Sequence, residues 1–219
     1  MQAENLPDRR WYAVKVFFNK VFRMEDILSD MGLETYLPVQ KVQLKGQAHM
    51  LAARRLAQAD EYHRGDARYI QEGPVIYERR PLITALIFVK ASHEEIVQVS
   101  GRLKDEQIMG RSSGFVYKTA DWKEYATIPD KQMDSFRLVV ESGQSGLEFY
   151  SADEFELREG DKVRVLEGPL AGSEGYIKRI RKNRRLLVCI EGVIAVATSY
   201  IPEKYLERIG KEKCPQKET

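Results

Sequence analysis

Four glycines constrain the last third of this chain more than any other feature. They stand in the pattern Gly160-Asp161-x-Val163-x-Val165-x-x-Gly168-Pro169-x-x-Gly172-x-x-Gly175-x-Ile177. Val163 and Val165, two residues apart, point to one face of a strand and fill a core. Gly168 and Pro169 suit a tight turn. Gly172 and Gly175 permit backbone geometry and close approach that a Cβ would obstruct. Around this pattern lie short apolar runs at 162–166, 175–180, 186–190 and 194–198. Such a chain removes open sheet edges best by curling into a small β-barrel. A generic glycine-rich hairpin is the alternative. The segment is poor helix material, because Val163, Val165, Val188, Ile190, Val193 and Val196 are all β-branched.

The first two thirds read differently. The run WYAVKVFF from Trp11 is aromatic and β-branched, as strands are. Asn19 then suits a helix N-cap. Val21, Met24, Ile27, Leu28 and Met31 recur at helical spacing, and Gly32 supplies a stop. Thr35–Val39 predicts a short strand. The piece AHMLAARRLAQADEY has high helix propensity. Val75–Tyr77 and Pro81–Val89 predict strands. In Leu82–Val89 the alternate residues Leu82, Thr84, Leu86 and Phe88 take one face, and Ile83, Ala85, Ile87 and Val89 the other. Helices cover one face, and the other needs a partner, a covering loop or a second sheet; full burial in a central strand is the alternative. Ser92 and Glu95 make a capping box before a stripe of Ile96, Val99 and Leu103. Phe115–Tyr117 reads as a weak strand. Pro129 and Asp130 suit the first turn of a helix carrying Met133, Phe136 and Val140. The fold class expected is α+β, an antiparallel sheet with helices packed on it.

Composition limits what such a chain can do. Lys and Arg number 35 against 33 Asp and Glu, a net charge of +2, too little to coat nucleic acid by electrostatics alone. Two cysteines far apart, Cys189 and Cys214, and three histidines argue against a zinc site or a disulfide framework. No cofactor or metal is expected. No phosphate loop, HExxH or Cys/His pair points to an enzyme. The opening MQAENLPDRR lacks the apolar run of a signal peptide. In the second half the longest stretch without Asp, Glu, Lys or Arg, 192–202, is about half a bilayer span. A cytoplasmic protein with no membrane contact is expected, as a monomer. Between Glu141 and Glu159 lie six acids and one base, Arg158, with glycines and serines among them. The expected division is therefore 1–142 with an insertion at 43–73, an acidic linker at 143–157, a glycine-patterned domain at 158–209, and a polar tail at 210–219.

The motif at Gly160 resembles KOW, the element of small SH3-like β-barrels found in ribosomal proteins and transcription factors. Trp11-Tyr12-Ala13-Val14, the amphipathic helix after it, and Arg80-Pro81-Leu82-Ile83-Thr84-Ala85-Leu86-Ile87-Phe88-Val89 resemble the N-terminal domain of NusG-type elongation factors. The resemblance spans roughly residues 10 to 209. Ile128-Pro129-Asp130-Lys131-Gln132-Met133 and Ile190-Glu191-Gly192-Val193-Ile194-Ala195-Val196-Ala197 place it nearest the specialised RfaH-like and UpxY-like antiterminators. Thr84 and Leu86 stand where general factors commonly carry an aromatic and a proline.

The resemblance implies binding to the clamp helices on the largest subunit of RNA polymerase, with Leu86 and Phe88 as anchors, Ile83 at the edge, and Trp11 and Val14 contributing. It implies a contact of Ser92 and His93 with the gate loop of the other large subunit; capping explains Ser92 equally. It implies suppression of pausing or termination without any bond being made or broken, on specific long operons such as surface polysaccharide clusters. Arg54 and Arg55 are candidates for phosphate contacts with non-template DNA or nascent RNA, or are ordinary surface arginines. The run Lys178–Arg185, with six bases in eight residues, is a candidate contact for RNA, ribosome or polymerase, or a solvated turn. A ribosomal protein is a candidate partner of the KOW element. Two other readings stand beside this one: a general NusG factor, and a ribosome-associated RNA-binding KOW protein.

Overall fold

Aromatic and β-branched side chains fit a pleated surface, and the run after Arg9 forms β1 (Arg10–Val16). The computed structural model describes residues 8–57, 68–105, 112–151, 160–180 and 183–212. Among these residues the architecture is mixed α+β, with four helices and several antiparallel sheets. Two compact units divide the chain: Met1–Arg9 with Val14–Val116, and Arg10–Ala13 with Tyr117–Thr219.

In the first unit, α1 (Val21–Asp30) follows β1 and buries Val21, Met24 and Leu28, the stripe its spacing predicts. The expected cap is different. Lys20 occupies the N-cap position and makes no side-chain cap bond. Asn19 instead sits in the left-handed region (φ 53°), which its short polar side chain tolerates, and it turns the chain out of β1. Next come β2 (Glu34–Tyr36), β3 (Val39–Gln43), α2 (Gly46–Ala57), β4 (Tyr69–Glu72), β5 (Val75–Pro81), β6 (Leu86–Ala91), α3 (His93–Asp105) and β7 (Gly114–Val116). One sheet runs β2-β6-β1-β7. A second, β3-β5-β4, forms around the insertion. It is tied to α1 by Arg79, whose guanidinium donates to both carboxylate oxygens of Glu25 at 2.6 and 2.7 Å and lies over the Phe22 ring.

The strand expected over Pro81–Val89 is interrupted. Pro81 ends β5, residues 82–85 turn, and β6 begins at Leu86. The Leu82 N–H donates to Pro38 O, and Ala85 O accepts from the Val16 N–H. Alternating faces therefore start only at Leu86.

In the second unit, β8 (Thr127–Ile128) pairs with Trp11 and Tyr12. It is followed by α4 (Asp130–Glu141), β9 (Glu148–Ser151), β10 (Gly160–Val165), β11 (Glu174–Ile180), β12 (Asn183–Ile190), β13 (Ile194–Tyr200) and β14 (Leu206–Glu212). Their sheet runs β14-β10-β11-β12-β13-β9. Within residues 143–157, Glu148–Ser151 are thus a strand, paired to β13.

From β13 the chain returns to the far side of β10 through residues 201–205, three of which form a 3-10 turn, Glu203–Tyr205. A flat sheet would hold β13 and β14 about 19 Å apart, at about 4.8 Å per strand. Six steps with a 3-10 turn among them reach only about 16 Å. The sheet therefore curls. The expected closed barrel is not formed among the described residues: β14 and β9 are the two edges and do not pair with each other, because β9 takes the outer side of β13.

α4 packs on β11, β12 and β13. Met133, Phe136, Val139 and Val140 are buried. The Glu174 N–H donates to Ser135 Oγ at 3.1 Å. Burial alone would raise the Glu174 carboxyl, but Lys131 and Arg164 outweigh it and leave it lowered. No helix among the described residues is long and apolar enough to cross a membrane.

Candidate interaction surface

The residues expected to grip a partner are mostly interior. Trp11, Val14, Leu86 and Phe88 are all buried, Phe88 completely. Its ring lies beside that of Tyr36, with centroids 6.2 Å apart, because β2 pairs Tyr36 directly opposite it. Leu86 and Phe88 therefore offer no free side chain as anchors, and the full-burial alternative describes them. Ile83, half-buried, sits in the 82–85 turn.

At the end of β1 the first unit exposes a group of aromatic rings. Phe17, Phe18 and Phe115 are 37%, 43% and 42% exposed. Phe17 packs at 6.3 Å from Phe18 and at 5.9 Å from Phe115. The backbone explains the grouping. Phe17 follows the last residue of β1, and its N–H donates to Ser113 O, just before β7. On the other flank, the N–H of Val16 holds the 82–85 turn through Ala85 O. Phe18 lies in the left-handed region (φ 59°), a conformation costly for a bulky side chain. Lys15 stands opposite Phe115 in the pairing of β1 with β7. The end of the sheet is thus an aromatic edge beside a turn carrying Ile83. Sequence reasoning missed Phe17 and Phe18 because they continue the β-like run from Trp11. The one signal against a longer strand is the Asn19-Lys20 pair after them.

Ser92 and Glu95 form the expected capping box. The Ser92 N–H donates to Glu95 Oε2 at 2.7 Å, and the Glu95 N–H donates to Ser92 Oγ at 3.2 Å. His93 opens α3 and is exposed. Glu95 also takes a two-pronged bond from Arg9, at 2.6 and 3.1 Å. That bond to Arg9 holds the Glu95 carboxyl below its ordinary value of 4.5. A lowered carboxylate adds stability that is complete above the unfolded value and is lost as pH falls through the folded one. The thermal midpoint of the wild type is therefore expected to drop below about pH 4.5 more steeply than that of Glu95→Gln, followed by circular dichroism from about pH 6 to about pH 3.

Arg54 and Arg55 lie in the last turn of α2, both exposed. Arg55 is engaged by Tyr69, donating to its hydroxyl at 3.2 Å and lying over its ring. In the glycine pattern, Val163 and Val165 are buried, and Asp161 pairs with Arg208 at 3.4 Å. Gly160 starts β10. Gly168 (φ 88°) and Gly172 (φ 90°) flank the turn that contains Pro169, closed by the Gly172 N–H donating to Val165 O at 2.8 Å. A Cβ on Gly175 would run into the carbonyl of Leu187 on the next strand. Of the basic run, Arg181 and Lys182 lie outside the described residues; Arg185 pairs with Glu148 at 2.9 Å. Among the described residues no cluster of three His, Cys, Asp or Glu could hold a metal. No protein-family model matches this chain, and no curated protein matches it.

Proposed function

We propose that the chain is a NusG-type transcription factor of the antiterminator kind. It holds RNA polymerase through its first unit and suppresses pausing or termination on specific long operons such as surface polysaccharide clusters. The observation that carries this reading is the glycine pattern from Gly160 to Gly175. Its turn glycines take backbone angles that other residues avoid, and Gly175 lies where a neighbouring strand leaves no room for a side chain. The return of β14 to β10 fits a curled KOW domain of the SH3-like kind.

The contact itself falls to the aromatic edge rather than to Leu86 and Phe88. Phe17, Phe18 and Phe115 present ring surface already grouped, with Ile83 on the adjoining turn. Exposed aromatic side chains are the usual energetic anchors of protein interfaces. The clamp helices of the polymerase are the matching surface, an apolar coiled-coil pair. His93, exposed on the first turn of α3, meets the gate loop. A factor that touches both large subunits acts by binding the closed clamp more tightly than the paused state. Tenfold preference corresponds to ~1.4 kcal/mol, which a few aromatic contacts supply.

The test is direct. Purified chain is expected to co-migrate with core RNA polymerase after nuclease treatment and to shorten pauses on a defined template. Association with ribosomes alone, or co-migration abolished by nuclease, overturns the reading.

A further inference from the structure

From Tyr200, the last residue of β13, the chain reaches β14 through residues 201–205, and this link gathers three side chains on one surface. Ile201 is buried. Pro202 continues in extended backbone (φ −59°, ψ 137°), so Tyr200 and Pro202, two apart, take the side opposite Ile201. The Tyr205 N–H then donates to Pro202 O at 3.0 Å and closes the 3-10 turn. With three residues per turn, positions i and i+3 stand over each other, which brings Tyr205 to the side of Pro202. Tyr200, Pro202 and Tyr205 thus form a ridge.

The ridge is open to a partner. Tyr200 is 61% exposed, and Leu166, whose N–H donates to Tyr205 O at 2.8 Å, is 52% exposed. Neither tyrosine hydroxyl has a hydrogen-bond partner among the described residues. Lys204 Nζ lies over the Tyr205 ring, 4.8 Å from its centroid, a hold that a flexible surface side chain gives up readily. Glu167, beside Leu166, is exposed and has no ion-pair partner among the described residues.

We propose that this ridge, with Leu166 and Glu167 beside it, binds a proline-rich segment of another protein in the polyproline II conformation, with a basic residue at one end. This does not depend on the polymerase reading above; it rests on the 201–205 link and the side chains that the link displays. Their chemistry selects the occupant. A polyproline II segment is an extended rod whose carbonyls are not used in internal hydrogen bonds. Two tyrosine hydroxyls without partners are the donors that such carbonyls need. The rod has three residues per turn, so residues three apart share a side, and the ridge presents a ring on each side of Pro202 to receive them. Segments of this kind are read on aromatic-lined surfaces, because they are already ordered and lose little entropy on binding. Glu167 is the acceptor for an Arg at the end of the segment. None of the eight prolines of this chain stands three residues from another, so the segment belongs to a different protein. A nucleic-acid strand also stacks on tyrosines, but its phosphates would meet the exposed carboxylates of Glu167 and Glu203.

The experiment measures binding of the fluorescein-labelled peptides RPLPPLP and PPLPPLR to the full chain by fluorescence polarisation. At least one is expected to bind saturably, and the same peptide with alanine for every proline is expected not to bind. Tyr200→Ala is expected to weaken binding about tenfold, with little change in thermal midpoint because most of the ring already faces water. Tyr205→Phe keeps the half-buried ring and loses the hydroxyl; it is expected to weaken binding about threefold or more. Glu167→Lys is expected to weaken binding several-fold, and to have no effect on a peptide whose Arg is replaced by Ala. Phe17→Asp is expected to bind the peptide as wild type does. Absence of saturable binding to both peptides at millimolar concentration overturns the proposal, and so does binding that Tyr200→Ala and Tyr205→Phe both leave unchanged. If Tyr200→Ala instead abolishes binding of a single-stranded thymidine oligonucleotide, or dissolves a dimer of this chain, the ridge serves that contact and the proposal is overturned.

Discussion

Gly175→Ala is expected to destabilise the C-terminal sheet by about 3 kcal/mol, against about 1 kcal/mol for Gly168→Ala. Both substitutions add one methyl group, but for different reasons the cost differs. At Gly168 the backbone is left-handed (φ 88°) and the space around it is open, so the penalty is conformational strain alone. At Gly175 the new Cβ would overlap the carbonyl of Leu187 and come within 3.1 Å of Leu186 Cδ1. A backbone carbonyl in a paired strand cannot swing aside as a flexible side chain can. Nor can β11 retreat, since Val163 of β10 pairs with Gly175 from the other side. Relief requires separating β11 from β12, and that opens the core lined by Leu186, Leu187 and Val188. Urea titration followed by circular dichroism reads the difference, with the denaturant slope unchanged if the native sheet keeps its shape. Equal losses at the two glycines would show that the β11–β12 pairing yields and that Gly175 is not held by its neighbour. Gly114 in the first unit has the same character, with its absent Cβ facing the carbonyl of Lys15.

Features set by a few neighbouring residues were legible in the sequence. The stripe Met133, Phe136, Val140 predicts a helix with one buried face, and α4 buries all three. Ser92 and Glu95 predict a capping box, since both partners lie within one helical turn. Val163 and Val165, two apart, predict a buried strand face. Features decided by pairing were not legible. β9 and β14 form because β13 and β10 lie beside them, and neither LERIGKE nor the acidic stretch around EFYS has the alternation of a free-standing strand. Hydrophobic alternation also cannot show where a strand stops. Leu82–Ala85 continues the pattern of Leu86–Val89, yet Pro81 has no N–H for the sheet and the chain turns there. The same blindness hid the candidate site. Phe17 and Phe18 read as two more strand residues, and only three-dimensional placement leaves them outside β1 with Phe115 beside them. For α2, propensity predicts a helix but says nothing of which face the hairpin covers. That face holds little more than Ala52, which leaves Met50 and Leu51 outside.

Phe88→Ala is expected to cost about 3–5 kcal/mol of stability, while Phe17→Ala and Phe18→Gly each cost about 1–2 kcal/mol. The contrast follows from position. Phe88 is fully buried, so truncation leaves a cavity and removes the ring beside Tyr36. Phe17, 37% exposed, loses the part of its ring packed against Phe18 and Phe115 but leaves no enclosed cavity. Phe18→Gly gives up the buried part of a ring that is 43% exposed but relieves a left-handed backbone, offset by the greater freedom of glycine in the unfolded chain. For polymerase binding the order reverses. Phe88→Leu, which keeps most of the core volume, is expected to bind as wild type does at a temperature where both are folded. Phe17→Asp is expected to bind at least tenfold more weakly, with its thermal midpoint lowered less than that of Phe88→Ala. The pair separates a residue that supports the sheet from one that the sheet displays. If Phe88→Leu loses binding without losing stability while Phe17→Asp binds normally, the grip lies on the strand face containing Phe88, and that face must open when the partner arrives.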